Sequence, residues 1–292
     1  MRTFFSYIIY GLVWLLSLLP FRVLYILSDF NYLILAHVIR YRRRVIDINL
    51  KNSFPEKSDK ERTAIRKAYY HHLCDYFIET FKLLNVSEKS ILKRCVYKNP
   101  EVLTNFFDEG RSVVAIMGHY CNWEWVSSFP LVDSTSIFLP IYKHLHNKVM
   151  DKLFYNIRSR FGAKPVAKKD VLRRMVEAKR DGKITFTGFI GDQTPTKSNI
   201  HYWTNFLNQD TPIFLGVEKI ARKFNQPVVF VNMNKVKRGH YEVSLELLCE
   251  NPKDSNEFEI TEMHTRFLEK VIQDNPAYWL WSHKRWKHKR EV

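Results

Sequence analysis

The sequence predicts an α/β fold: a mixed, mainly parallel central sheet flanked by helices, preceded by an N-terminal hydrophobic helical segment. The sheet is predicted by short apolar, β-branched runs such as Val113–Met117, which alternate with segments of helical periodicity. The N-terminal segment is predicted by an uncharged run over residues 4–20. We therefore divide the chain into a membrane-anchoring segment, residues 1–45, and a main domain, residues 46–292.

Composition limits the classes of protein that remain possible. With 292 residues, 46% of them hydrophobic and 15% aromatic, the chain can bury a substantial core, which excludes a disordered or fibrous protein. The net charge of +16 favours polyanionic partners, namely nucleic acid, an anionic membrane surface or an acidic carrier. The four cysteines have neither CxxC nor zinc spacing, so we expect a reducing compartment and no metal site.

The N-terminus contains two consecutive apolar runs. The first, residues 4–20, ends at Pro20, which breaks or kinks a helix. The second, residues 21–39, is followed by the basic cluster at residues 40–44, which should stay on the cytoplasmic side. We expect a hairpin in the cytoplasmic leaflet of the inner membrane, or one span plus an interfacial helix, with the main domain in the cytoplasm. A buried hairpin in a soluble protein is the alternative.

The main domain begins with helices and continues with strands that alternate with helices. Ser58 and Glu61 form a capping box that opens a helix reaching about residue 84. Asn99 is expected to cap a short helix that begins at Pro100. Beyond it we predict strands at 112–117, 135–142, 183–190, 227–235 and 241–248, and helices at 122–129, 147–161, 169–180, 211–224 and 261–274.

His119 and Asp192 each follow a predicted strand directly. Ligands of parallel sheets bind beyond the carboxyl ends of the strands, so both residues are candidates for one cleft.

His119 and Glu124 have the spacing of a base and its carboxylate if a turn separates them. Five positions rotate a helix by about 140°, so the pair requires His119 in the turn and Glu124 in the first helical turn, with Asn122 as N-cap. The carboxylate would then hold one imidazole nitrogen while the other removes a proton from an alcohol. The nucleophile would belong to the substrate. Taken alone, this spacing more often belongs to a histidine that pairs with a carboxylate for structural reasons.

Residues 118–124, GHYCNWE, resemble the G-H-Y/F-G-N-W-E block of the bacterial lipid A late acyltransferases, the lauroyl/myristoyl transferase family. This family belongs to the H-x4-D/E glycerolipid acyltransferase superfamily. Further blocks in the same order extend the resemblance along the whole chain: NL and FPE within 49–56, RSRFG at 158–162, GDQ at 191–193, FL and TP within 206–212, and PAYWLWSHKRW at 276–286. The resemblance implies a glycerol-3-phosphate-acyltransferase-like fold.

The resemblance also implies roles for particular residues. His119 would be the general base and Glu124 its partner. Arg158 would contact the substrate phosphate or the oxyanion, and Asp192 would be an acid near the acceptor or the base. Four less certain site residues are Asn122, Gln193, His283 and Arg285. The structural alternatives are a solvated helix face for Arg158, a loop cap for Asp192 and structural positions for His283 and Arg285.

Two positions depart from the family pattern. Cys121 stands where the family has glycine, and Asn208 stands near the glycine of its F-F-G segment. Asn tolerates the left-handed backbone that a glycine adopts. An acyl-cysteine at Cys121 is conceivable, but a buried thiol replacing a small residue is the plainer account. Both departures bear on the shape of the substrate more than on the type of reaction.

The resemblance implies transfer of a fatty acyl chain to a hydroxyl of a lipid A precursor, without cofactor or metal. The donor would be acyl-carrier protein, or acyl-CoA. An acidic carrier suits a protein of charge +16, and a bisphosphorylated acceptor suits arginines.

Three alternatives remain from the sequence. The acceptor could be another lipid or an aromatic pigment-type alcohol. The chain could be a non-catalytic membrane adaptor. It could also bind nucleic acid through the basic residues 283–290, but no recognised motif accompanies that charge, so we expect no nucleic-acid partner.

Overall fold

A computed structural model describes residues 2–290 and contains one seven-stranded sheet. Its strands are β1 (Cys95–Tyr97), β2 (Val113–Met117), β3 (Ile137–Tyr142), β4 (Val166–Ala167), β5 (Thr185–Ile190), β8 (Val228–Lys237) and β9 (His240–Cys249). Their order across the sheet is β1-β9-β8-β2-β5-β3-β4. All neighbours pair in parallel except β8 and β9, which form an antiparallel hairpin. The predicted fold class is confirmed.

Helices flank this sheet and precede it. They are α1 (Arg2–Leu18), α2 (Phe21–Leu33), α3 (Arg43–Ser53), α4 (Asp59–Lys82), α5 (Glu88–Arg94), α6 (Glu101–Asp108), α7 (Lys148–Ser159), α8 (Val171–Arg180), α9 (Gly216–Phe224) and α10 (Glu259–Asp274). The capping box that opens α4 is confirmed, because Ser58 Oγ accepts from the Glu61 amide while the Glu61 carboxylate accepts from the Ser58 amide. Gly162 follows α7 with φ +97, a left-handed backbone that glycine adopts readily after a helix.

Three predicted elements take a different form in the structure. Asn99 does not cap α6: its side chain pairs with both backbone groups of Leu245, and Pro100 is itself the N-cap. The helix predicted at 122–129 is a 3-10 helix, Trp123–Leu131, which contains Pro130. Pro130 has no amide hydrogen to give to an α-helix. The hydroxyls of Ser127 and Ser128 donate to carbonyls three residues earlier, within the tighter turn.

The third difference lies before α9, which begins at Gly216 rather than at residue 211. Residues 203–212 instead form a hairpin of β6 (Trp203–Phe206) and β7 (Gln209–Pro212). Its two-residue loop, Leu207 and Asn208, has φ of +52 and +60. Asn208 thus adopts the left-handed backbone predicted for it, but neither residue is the glycine that usually marks such a turn.

The N-terminal hairpin has an apolar outer face and an inner face that packs on the main domain. Outward-facing side chains include Phe4, Phe5, Ile9, Leu12, Leu15, Val23, Ile26, Phe30 and Leu33. Within residues 2–290, the helical stretch Phe21–Val38, which ends in a π-helical turn, is the one segment long and apolar enough to cross a membrane. N-terminal signal sequences and the core helices of soluble proteins share this length and composition.

The inner face of α2 is joined to the main domain through buried carboxylates of α4, Asp75 and Glu79. Glu79 lies on α4 and is fully buried. Its Oε1 accepts from the Tyr25 hydroxyl of α2 at 3.0 Å, and its Oε2 accepts from Asn122 Nδ2 at 2.9 Å and from the Tyr241 hydroxyl at 2.7 Å. Helix α2, strand β9 and the turn after β2 therefore meet at a single side chain. Because the carboxylate needs all three donors when it is buried, the three elements depend on one another.

Candidate active site

His119 lies in the turn after β2, at the same edge of the sheet as the end of β5. Gly118 precedes it in a crowded position. A Cβ atom there would lie 2.6 Å from Leu268 Cδ1 and 3.3 Å from Asp192 Oδ2. A side chain at this position would displace Leu268 and crowd Asp192, so glycine favours the close approach of the β2 turn to the residue that follows β5. The sequence predicted this meeting of His119 and Asp192 at one edge.

Asp192 is the direct partner of the His119 imidazole. His119 Nδ1 lies 2.6 Å from Asp192 Oδ1, the His119 amide donates to Oδ2 at 2.8 Å, and Trp279 Nε1 donates to Oδ2 at 2.7 Å. Burial opposes ionisation of Asp192, but the charge and hydrogen bonds of His119 outweigh it and lower the pKa to about 2. An ionised carboxylate only accepts, so Nδ1 carries the proton and Nε2 presents its lone pair.

Glu124 does not occupy the position expected of it. Both of its oxygens accept from Arg158, with Arg158 Nε donating to Oε2 at 2.9 Å and Nη2 donating to Oε1 at 2.6 Å. The expectation that Glu124 directly holds the imidazole is therefore wrong. The guanidinium of α7 presents a fork that matches both oxygens, whereas Asp192 already fills the position at Nδ1. Burial alone would lower the pKa of Arg158, but Glu124 raises it above its ordinary value.

Gln193 and Trp123 lie against the imidazole on its other sides. Gln193 Nε2 is 3.2 Å from His119 Nε2, and the Trp123 ring meets the imidazole edge-on with centroids 4.9 Å apart. Because Nε2 presents a lone pair, the amide group of Gln193 is the donor in this contact. Gln193 thus lies on the lone-pair side of the imidazole.

Asn122 and Cys121 belong to the turn, and within residues 2–290 neither forms a hydrogen bond with the imidazole. The predicted cap at Asn122 does not form: Nδ2 donates to Glu79, and Oδ1, the atom that would accept from a helix amide, has no partner within residues 2–290. Cys121 is fully buried with φ +52. Burial raises the pKa of its thiol, which disfavours the thiolate needed for an acyl-cysteine. The plainer account of Cys121, a buried small side chain, fits the structure.

The C-terminal segment closes the site. Trp279 donates to Asp192, and the Thr194 amide donates to His283 Nε2 at 3.3 Å. Arg285 is fully buried, and its Nη2 donates to the Pro212 carbonyl at 2.7 Å. We did not single out Trp279 from the sequence. The feature that could have indicated Trp279 is its position in the C-terminal block, residues 276–286. An indole has one donor and no acceptor, so it is a suitable partner for a buried carboxylate.

The family model described as "Bacterial lipid A biosynthesis acyltransferase" matches residues 1–288. The chain belongs to this family. It is 22% identical over 284 residues to "Lipid A biosynthesis lauroyltransferase" of Escherichia coli (strain K12), covering 96% of this chain and 90% of that protein. It is 25% identical over 146 residues to "Lipid A biosynthesis acyltransferase 2" of Shigella flexneri, covering 49% of this chain and 45% of that protein. The resemblance is confirmed, and the chain is an acyltransferase.

An apolar cavity of about 60 Å³ lies next to the His119 imidazole of this acyltransferase, behind Trp123. Trp123, which contacts His119, lines it together with Glu124 and Arg158. The other side chains around it are almost all apolar, among them Met117, Pro140, Ile141, Phe189 and Ile190, with Phe138 and Phe186 stacked on each other. The cavity therefore combines one ion pair with a hydrocarbon lining.

We expect the Glu124–Arg158 pair of this acyltransferase to be strongly coupled in stability. The side chains are 4% and 21% exposed, so Arg158→Met leaves a buried carboxylate without its partner and should cost about 3 kcal/mol of unfolding free energy. The double variant Glu124→Gln/Arg158→Met removes both charges and should recover most of that loss. Denaturant unfolding measures the cycle, with Arg160→Met as the matched control on the same helix end. Equal losses in the single and double variants would contradict a coupled pair.

Proposed function

We propose that this acyltransferase moves a fatty acyl chain from a carrier thioester to a hydroxyl of a lipid A precursor, with His119 as general base. The observation that carries the proposal is the buried, ionised Asp192 at His119 Nδ1, which leaves the Nε2 lone pair available beside an apolar cavity. A base next to hydrocarbon suits a reaction between a hydroxyl and a fatty acyl group.

The proposed reaction begins when the acceptor hydroxyl displaces Gln193 from His119 Nε2. The proton passes to Nε2 while the oxygen attacks the thioester carbonyl. Asp192 stabilises the imidazolium that forms. The carbon–sulfur bond then breaks, and the leaving thiolate takes the proton from Nε2, which returns the imidazole to its resting form.

Arg158 is the proposed donor to the oxyanion of the tetrahedral intermediate. Glu124 engages its Nε and Nη2, so Nη1 is the group directed to the substrate. In this mechanism Glu124 fixes the guanidinium rather than the imidazole, and its buried charge keeps the arginine in one orientation.

We propose that the apolar cavity holds the acyl chain and that Gly188 controls its depth. A Cβ at Gly188 would lie 3.0 Å from Phe138 Cε2, so Gly188→Ala pushes the ring into the cavity. We expect this variant to favour shorter donors, with kcat/KM for the longest accepted chain falling about tenfold.

A competition among donors of several chain lengths, resolved by product mass, measures the effect of Gly188→Ala. Gly216→Ala is the control, because a Cβ there meets nothing within 4 Å. An unchanged ranking of chain lengths in Gly188→Ala would place the chain elsewhere.

We also propose where the protein acts and which partners it binds. The outward apolar face of α1 and α2 suits association with the inner membrane, with the site on the cytoplasmic side. The net charge of +16 suits an acidic acyl-carrier protein as donor, with acyl-CoA as the alternative, and an anionic membrane and a phosphorylated lipid as further partners. No cofactor or metal takes part in the proposed steps.

The test is a mass measurement on lipid A precursor incubated with the purified protein. Donors are acyl-carrier protein and acyl-CoA thioesters, and the parallel acceptors are a phospholipid and an aromatic alcohol. We expect the precursor to gain the mass of one acyl chain from the carrier-bound donor. Acylation of a parallel acceptor alone would overturn the lipid A assignment, and no acylation of any acceptor would overturn the proposed function.

A further inference from the structure

Arg285 is a buried cation whose hydrogen-bonding capacity is largely unused. The residue has no exposed surface. Its Nη2 donates to the Pro212 carbonyl, but Nε and Nη1 have no partner among the residues that the structure describes. Burying guanidinium donors without partners is costly, so a further group is needed to satisfy them.

Arg285 lines a small cavity next to Asp192. The cavity measures about 10 Å³ and is lined by Arg285, Asp192, His264 and several apolar side chains, including Leu268. That volume is at the lower limit for one water molecule. His264 Nε2 is also buried without a partner within residues 2–290. The cavity thus offers one water at least two of the polar partners that such a water requires.

Among the groups that line the cavity, Arg285 is the one that can balance the negative charge of Asp192. Asp192 accepts from His119 and Trp279, and neither donor is charged while the imidazole is neutral. Burial lowers the pKa of His264 to about 4, so this histidine is neutral at pH 7. Burial lowers the pKa of Arg285 to about 10, although the negative charge of Asp192 acts to raise it. The arginine therefore stays charged at pH 7. Arg285 is therefore the buried cation of the cavity that can offset the Asp192 carboxylate.

We propose that Arg285, through one buried water, is the permanent counter-charge of Asp192 and holds the His119 imidazole neutral between turnovers. A fixed positive charge behind Asp192 opposes a second one on His119, so the imidazole returns its proton once the thiolate leaves. The other groups facing the imidazole are Gln193 and the Trp123 ring, which are uncharged, and His283, whose pKa burial lowers to about 4. Arg285 is thus a positioning residue for the proposed base.

The activity test rests on the proposed function and uses the pH dependence of kcat/KM in the full-length protein. We expect Arg285→Met to move the acidic limb of the profile upward by about one pH unit, because the imidazolium is no longer opposed. Arg285→Lys, which keeps the charge, should return the limb to its wild-type position. Arg290→Met, an exposed cation of the same segment, is the control. An acidic limb that does not move in Arg285→Met, with only the rate lowered, would overturn the proposal.

A second measurement is independent of acyl transfer. A high-resolution crystal structure of the wild-type protein should contain a water bonded to Arg285 Nε or Nη1 and to Asp192 or His264. An empty cavity would overturn the proposal even if Arg285→Met fails to fold. If the wild-type protein transfers no acyl group, the proposed function fails, and the presence or absence of this water still decides the role of Arg285.

Discussion

Replacing Asp192 with asparagine should lower acyl transfer by about 10⁴-fold while the protein stays folded. The introduced side-chain amide would donate to His119 Nδ1, whereas the native carboxylate accepts from it at 2.6 Å. The imidazole proton then moves to Nε2, and the base has no lone pair for the acceptor hydroxyl. Single-turnover transfer from a carrier thioester measures the loss. The matched control is Asp151→Asn, because Asp151 pairs with the exposed His144 at 2.7 Å outside the candidate site.

The same substitution changes the pH dependence of stability. Asp192 has its pKa lowered from 3.8 to about 2, so it stabilises the fold at pH above about 4, and this contribution is lost as the pH falls towards 2. At neutral pH a hydrogen bond to such an ionised, buried carboxylate contributes roughly 2 kcal/mol. We expect Asp192→Asn to lose that amount near pH 7 and little near pH 2. A stability difference that does not shrink at low pH would contradict an ionised Asp192.

Replacing His119 with alanine should lower the rate of acyl transfer by at least about 10³-fold. Its imidazole supplies the proposed proton acceptor, and none of the groups in contact with it can replace that function: Asp192 faces Nδ1, and Gln193 is an amide. The fold should survive, because the side chain is 16% exposed and the core residues of β2 are unchanged.

The transfer assay on His119→Ala is compared with His144→Ala, which removes a histidine from an equivalent pair with a carboxylate. Near-wild-type turnover in His119→Ala would show that another residue is the base. A melting temperature close to that of the wild type is required for either conclusion.

The sequence sufficed for the sheet and for the edge at which the site lies. The apolar β2 and β5 segments are recognisable from their β-branched periodicity, and the polar residues directly after them must then be neighbours. Which carboxylate holds the imidazole was not predictable in this way. It depends on the 3-10 geometry of Trp123–Leu131 and on Arg158, which reaches Glu124 from a helix 34 residues further along.

Two other features depended on contacts that periodicity does not reveal. The β6–β7 hairpin turns at Leu207 and Asn208, which lack the glycine that signals a two-residue turn. Trp279 reaches Asp192 from 87 residues away, so its contact is set by the packing of the C-terminal segment. Tertiary contacts of this kind override what short sequence windows contain.

The junction at Glu79 bears on how the protein is to be purified. Deleting residues 1–45 removes the hydrogen bond from the Tyr25 hydroxyl to the Glu79 carboxylate. It also exposes the face of α4 on which Leu24, Ser28 and Tyr32 pack. A shortened chain would thus expose apolar surface and unbalance a carboxylate that also holds Asn122, two residues before Glu124. A detergent-free preparation is better sought by exchanging outer residues such as Phe5, Ile9 and Leu12 for polar ones, with both N-terminal helices kept.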